Sequence, residues 1–412
     1  MKTLFLSLIS IYIIIRIIFI FLERKGRKTA EKEALALKYF TEEDIKNGIE
    51  YHDRGFTAGI IKKIVDFLFP LVFFFSSFAV FLSTYLIQVT SNHFWIQVII
   101  FVTIYMVMQF IVDLPFSYYF SYVLEHKFGF SNMNNKSWLA FTLKRFIVGL
   151  IINIIIISAV YFVFRRTNFH WVWIIPLVML LFEFFFTLIY PYVFLPIFYK
   201  KSNFEKNEYS EPIFKVAEKA GITLKKIYQI NESKYSKHTN AFFTGFGPEK
   251  SIYLFDTLVK NNSPEQAASV VAHEAGHWKH HHVLKGIILG FIGSFIITFL
   301  LYFTYKSIII TNLNPFSDVT AFPIIIFIIS IYSYFLIPVE SSFSRKMEVT
   351  ADTYELRSTG RKDIFISSMV QLAKDNRSFL YPHPAITLWY ASHPPMLERI
   401  KMAEDFKFED KI

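Results

Sequence analysis

Long apolar runs alternate with charged segments along the chain, and that alternation predicts its architecture. Residues 3–22 are almost entirely apolar. At about 1.5 Å per residue they are long enough to cross a hydrocarbon core of about 30 Å. Arg16 interrupts the run and no small-residue cleavage site follows, so it reads as a retained helix and not a signal peptide. Further apolar runs lie at about 64–89, 94–115, 146–164, 169–198, 284–305 and 321–340, which makes seven spans. Pro176, Pro191 and Pro196 are expected to kink or end the fifth. Arg16, Asp113 and Glu183 place charge at membrane depth, a cost that a wet cavity would lower.

The segments between the spans differ in charge. Lys and Arg crowd 23–63, 116–144, 199–283 and the C-terminal 341–412, beginning with Arg24, Lys25, Arg27, Lys28 and Lys32. The opposite side holds little more than Lys2, Arg165, Arg166 and Lys306. The excess of positive charge assigns the crowded side to the cytoplasm. Four regions follow: spans one to five with their loops (1–198), a polar domain part (199–283), spans six and seven (284–340), and a second polar part (341–412). Within 199–283 the pattern predicts a helix over 211–220 ending at Gly221 and short strands at 224–230, 240–246 and 251–255. Ser263-Pro264-Glu265-Gln266 is a capping box with proline at the first helical position, so a helix should run from there to about His282.

Composition narrows the class. Of 412 residues 53% are hydrophobic and 19% aromatic, and the mean hydropathy is +0.38, as for a membrane protein. Cysteine is absent, so disulfides, thiolate catalysis and cysteine-ligated metal are excluded, and any metal must use His and carboxylates. The net charge of +10 follows from the topology; no nucleic-acid reader motif accompanies it.

The candidate chemistry sits on the capped helix, where His273-Glu274-Ala275-Gly276-His277 reads HExxH. Four residues apart on a helix, His273 and His277 share a face and can reach one ion, while Glu274 can take a proton from a water that the ion activates. The motif alone is a weak signal, since a solvated helix end with idle histidines reads the same. A third ligand is needed, and Glu348, with Asp352 four residues on, offers a carboxylate plus a second carboxylate to orient an imidazole. An ordinary charged helix after span seven is the equally simple alternative. His280, His281 and His282 read as polar residues at a membrane boundary. His393, beside Pro394-Pro395, reads from spacing alone as a turn residue.

Together, HEAGHWKHHH at 273–282, SRKMEVTAD at 344–352 and SHPPMLERI at 392–400 resemble the type I CAAX prenyl endopeptidases. DLPFSYYFSYVLEHKFGFSN at 113–132, LPIFYK at 195–200 and NAFFTGFGPEKSIYLFDTL at 240–258 extend the resemblance from about residue 30 to 405. It implies an all-α multi-pass membrane protein whose seven transmembrane helices enclose a large chamber, with a cytoplasmic zincin-like α/β metalloprotease domain. One Zn²⁺ per chain would be held by His273, His277 and Glu348, with Glu274 as general base. Asp352 would orient a ligating histidine or return a proton, and His393 would stabilise the oxyanion. Asn240, on a strand that pairs with extended substrate, and Arg399 would bind substrate, and Arg345 lies at a charged position nearby. The implied partners are a protein or peptide substrate, prenylated or not, and the lipid bilayer, with no nucleic acid. The chain departs from eukaryotic members in its shorter loops and in ending Glu409-Asp410-Lys411-Ile412 without a dilysine signal. A bacterial inner membrane therefore stands beside the endoplasmic reticulum. A quality-control zinc protease, or a transporter or scaffold with a His-rich loop, remains an alternative; a site-2-type protease would carry HExxH inside an apolar span.

Overall fold

The computed structural model of the chain describes residues 2–26, 28–244, 249–308 and 318–408. Arg27, the last two positions of the strand expected at 240–246, and Glu409 to Ile412 lie outside them. Thr3–Lys25, Phe94–Lys127, Asn135–Arg166, Trp171–Phe198, His282–Tyr305 and Val319–Thr359 are long and apolar enough to cross a membrane. Glu42–Phe75 and Phe78–Val89, bent by 54° at their break, are long and apolar enough as a pair, which makes six candidate spans among the described residues, or seven if the pair is one. The sequence predicts an unbroken span at 64–89. The structure breaks it where Ser77 adopts a left-handed φ of +62°, seven residues after Pro70 removes a backbone donor from the helix.

Other boundaries differ for local reasons. The connection expected at 116–144 is largely helical: Phe94–Tyr118 runs on through a π-helical turn, Tyr119–Leu124, to Lys127. Pro191 interrupts the fifth span as expected, with Tyr190–Phe194 turning to π geometry, whereas Pro176 is accommodated inside Trp171–Ile189. The last long helix, Phe322–Thr359, crosses the boundary set at residue 341 without a break. Its 38 residues measure about 57 Å, nearly twice a hydrocarbon core, so its second half projects beyond the span and ends at Gly360, whose φ is +67°.

The membrane helices pack tightly at the end far from HExxH. Phe73, Phe101, Tyr105, Tyr161, Trp171 and Ile328 form the centre of that core. Asn135–Arg166 buries only Trp138 near its start and Tyr161, Val163 and Phe164 near its end, and Trp171–Ile189 buries only its first turns. Nearer HExxH these helices therefore bury few side chains. The charges at membrane depth find different solutions. The Arg16 guanidinium lies 4.7 Å from the Tyr334 ring centroid, and Asp113 pairs with Lys62 at 3.0 Å. Glu183, expected as a buried charge, is exposed, its carboxylate set against Gly290, where an added Cβ would fall 3.1 Å from Oε2.

The polar domain is a four-stranded sheet, β1 Lys201–Asn203, β2 Thr223–Ile230, β3 Ala241–Thr244 and β4 Glu249–Phe255, ordered β1-β2-β4-β3. β2 and β4 run parallel and the outer pairs are antiparallel, which leaves β3 at an edge. The alternating apolar positions Ile252 and Leu254 point to one face. There they meet Ala268, Val271 and Ala272 of the HExxH helix, Pro264–Lys279. The C-terminal helices Lys362–Asp375 and Met396–Asp405 bury Phe365, Met369, Leu397 and Ile400 with Leu356 of the long helix and Phe40. That packing carries Arg399 inward.

Candidate metal centre

The HExxH helix begins as its sequence predicts. Gln266 N–H donates to the Ser263 hydroxyl at 3.2 Å, Ser263 N–H donates to Gln266 Oε1 at 3.0 Å, and Pro264 is the first helical residue. The helix packs on the sheet through its alanines and against the long helix at Gly276, where a Cβ would sit 2.9 Å from Ala351 Cα. Backbones can approach this closely because one side carries no side chain and the other only a methyl.

That contact brings the three expected ligands together. His273 Nε2 and His277 Nε2 are 3.1 Å apart, and each lies 3.3 Å from an oxygen of Glu348. Glu348 is 6% exposed, and its Oε2 is buried without a hydrogen-bond partner. A buried carboxylate with one imidazole nitrogen 3.3 Å from each of its oxygens suits a shared cation. Burial works against a charged His273, yet Asp352 and Glu348 raise its pKa to about 10, so this point favours positive charge. The donor set, two nitrogens and a carboxylate, is that of catalytic zinc.

Around the cluster the structure sorts the other expected residues. Burial pushes the Glu274 carboxyl above its usual range, against the pull of the two histidines, which suits a proton acceptor working near neutral pH. Asp352 is fully buried, with Oδ1 2.8 Å from His273 Nδ1. Its oxygens also accept from Arg399 Nε at 2.8 Å and Nη2 at 2.6 Å. Asp352, paired with Arg399 and set against His273 Nδ1, is buried away from the open side. Arg399 is 6% exposed and its fork is taken up by Asp352.

His393 does reach the cluster. Its Nε2 is 3.4 Å from Glu348 Oε1 and its Nδ1 is 2.8 Å from the Ser392 hydroxyl. Arg345 donates from Nη1 to the carbonyls of Thr387 and Ala391, both at 2.8 Å, and so pins the segment that leads to His393. Asn240, expected on the strand, is exposed one residue before β3 begins, and its Oδ1 accepts from Ala241 N–H at 2.8 Å.

Two residues at the site escape the sequence reading. Glu355 is fully buried, accepts from the Ser269 hydroxyl and lies 3.9 Å from His273 Nδ1. Its spacing of seven from Glu348 already puts it on the same helical face. His282, read as a boundary residue, is 5% exposed with Nδ1 2.9 Å from His277 Nδ1.

Two family descriptions match the chain: peptidase family M48 over residues 204–407, and the CAAX prenyl protease N-terminal region of five membrane helices over 24–200. CAAX prenyl protease 1 of Saccharomyces cerevisiae is 31% identical over 321 residues, covering 73% of this chain and 70% of the relative. The CAAX prenyl protease 1 homolog of Homo sapiens is 27% identical over 361 residues, 76% and 74% of the two chains. The crystal structure of S. mikatae Ste24p superposes with a TM-score of 0.83 at 26% identity, covering 97% of this chain and 98% of that one.

Proposed function

The chain belongs to peptidase family M48 and is a multi-pass membrane metalloprotease, and from that membership we propose that it uses zinc to cleave peptide bonds near the C-terminus of prenylated proteins. The observation that carries the reading is the meeting of His273, His277 and Glu348 within 3.1–3.3 Å. Among the described residues, two sets of three offer ligand atoms close enough to hold one ion: these three, and His273 with Asp352 and Glu355, where Arg399 already occupies Asp352. Zinc held there would polarise the scissile carbonyl and lower the pKa of a bound water to about 7.

This chain's own residues do the rest. Glu274 takes the proton of the attacking water and delivers it to the leaving amine; burial beside two histidines tunes it for that exchange. His393, hydrogen-bonded through Nδ1 to Ser392, turns Nε2 toward the carbonyl oxygen as charge develops there. Asp352, clamped by Arg399, holds His273 at the angle that presents Nε2 to the ion. Substrate lies extended beside β3, which stands at the sheet edge with Asn240 immediately before it. The Lys and Arg excess supports a site on the cytoplasmic side of the membrane.

The test is cleavage of a matched pair of C-terminal peptides, farnesylated and unmodified, by the purified full-length protein, with Glu274→Gln as control. Cleavage of the farnesylated peptide alone, lost in the control, is the expected result. Equal cleavage of both would refute the prenyl requirement, and undiminished cleavage by Glu274→Gln would refute the mechanism.

A further inference from the structure

We propose that His282 is the positioning residue for His277, the acceptor that fixes the tautomer and ring angle of the second metal ligand. The inference rests on the reading of His273, His277 and Glu348 as the ligands.

The two ligating imidazoles present Nε2 to Glu348 and to each other, so each turns Nδ1 away from the cluster. A neutral imidazole that gives its Nε2 lone pair to a metal keeps its proton on Nδ1 and must donate it. For His273 the facing atom is Asp352 Oδ1 at 2.8 Å. For His277 it is His282 Nδ1 at 2.9 Å, with the ring centroids 4.9 Å apart and the planes at 78°. His282 Nδ1 therefore acts as the acceptor, and the proton of His282 resides on Nε2.

The backbone is shaped to make that contact. Five residues further along an unbroken helix, a side chain would be rotated by about 140° and raised by about 7.5 Å from His277, facing elsewhere. Instead the HExxH helix ends at Lys279, His281 takes a left-handed φ of +55°, and the next helix begins at His282. A non-glycine residue seldom adopts that φ, and when it does the surrounding structure holds it there. The kink turns His282 back onto His277. Of the three consecutive histidines only His282 is buried; His281 is exposed. Together Asp352 and His282 give each ligand one fixed partner, one anionic and one neutral.

The test uses the full-length protein in detergent. His282→Asn keeps an acceptor close to the position of Nδ1, whereas His282→Phe keeps a ring and removes the acceptor. Zinc per chain and the rate of zinc loss to a competing chelator are measured, with the d–d spectrum of the cobalt-substituted protein as a second reading of ligand geometry. The expected result is a 10- to 100-fold loss of zinc affinity in His282→Phe, a changed cobalt spectrum, and near-native values in His282→Asn. Native zinc retention in His282→Phe would overturn the proposal, as would equal losses in both variants, which would mean that the turn and not the acceptor matters. If His282→Phe does not fold, His282→Leu carries the same contrast. Glu348→Ala is measured alongside: full zinc in that variant would show that the ligand reading itself had failed, whatever His282 does.

Discussion

Gly276→Ala sets local preference against packing. In an isolated helix the change should stabilise by about 0.8–1.0 kcal/mol, because glycine loses more backbone freedom. Here the added Cβ would lie 2.9 Å from Ala351 Cα and 3.1 Å from both Ala351 O and Tyr354 Cβ. Carbon contacts settle at about 3.5–4.0 Å, so the two helices must part by roughly 0.6–1.1 Å. Overpacking of this kind costs about 1–3 kcal/mol, which outweighs the propensity gain. The separation falls on the metal cluster itself, since Gly276 adjoins His277, and Ala351 adjoins Asp352 and is three residues from Glu348. Metal sites tolerate deviations of only about 0.2 Å. The variant should therefore lose zinc and unfold at lower temperature, as read by zinc content and by thermal unfolding with and without chelator. Gly286→Ala is the control, because nothing lies within 4 Å of its added Cβ, and it should keep its zinc. A Gly276→Ala protein with full zinc and an unchanged or higher Tm would refute the claim that this contact sets the distance between His277 and Glu348.

Other perturbations separate the roles assigned above. Glu274→Gln should retain zinc while turnover falls by about 10²–10⁴-fold, the usual worth of a general base; Glu348→Ala should lose zinc, and a zinc-replete, inactive Glu348→Ala protein would refute the ligand assignment. Arg399→Met leaves Asp352 buried without its guanidinium, a loss of about 3–5 kcal/mol when one partner of a buried pair is removed. It should lower Tm and zinc retention, whereas a raised KM at unchanged stability would return Arg399 to the substrate. His238 carries a raised pKa because Glu125 Oε2 lies 3.1 Å from its Nε2, with Asn376 adding a second contact. Its contribution to stability should be complete below the unfolded value of about 6.5 and vanish as pH rises through the raised folded value. The Tm advantage of wild type over His238→Gln should shrink from acid to alkaline pH, and a constant difference would rule the coupling out.

Much of this molecule is legible one segment at a time. Spans, the capped start of the HExxH helix, the pairing of His273 with His277, and the common face of Glu348 and Asp352 follow from backbone periodicity and from caps that act within a few residues. The bend at Ser77 and the placement of His282 were not legible, because each depends on one non-glycine residue held left-handed, and intrinsic preference argues against that conformation. Nor could spacing show Arg399 spent on Asp352, because helix Met396–Asp405 is oriented by a core that gathers residues from both ends of the chain. By itself the sequence determined which side chains could bind a metal and on which helical faces they stand. Only the tertiary structure decided that His277 and Glu348, 71 positions apart in the chain, meet at 3.3 Å. The physical reason is that helical periodicity is enforced by sterics within each turn, whereas the meeting of two helices depends on every surface they bury, and here on a glycine set against an alanine.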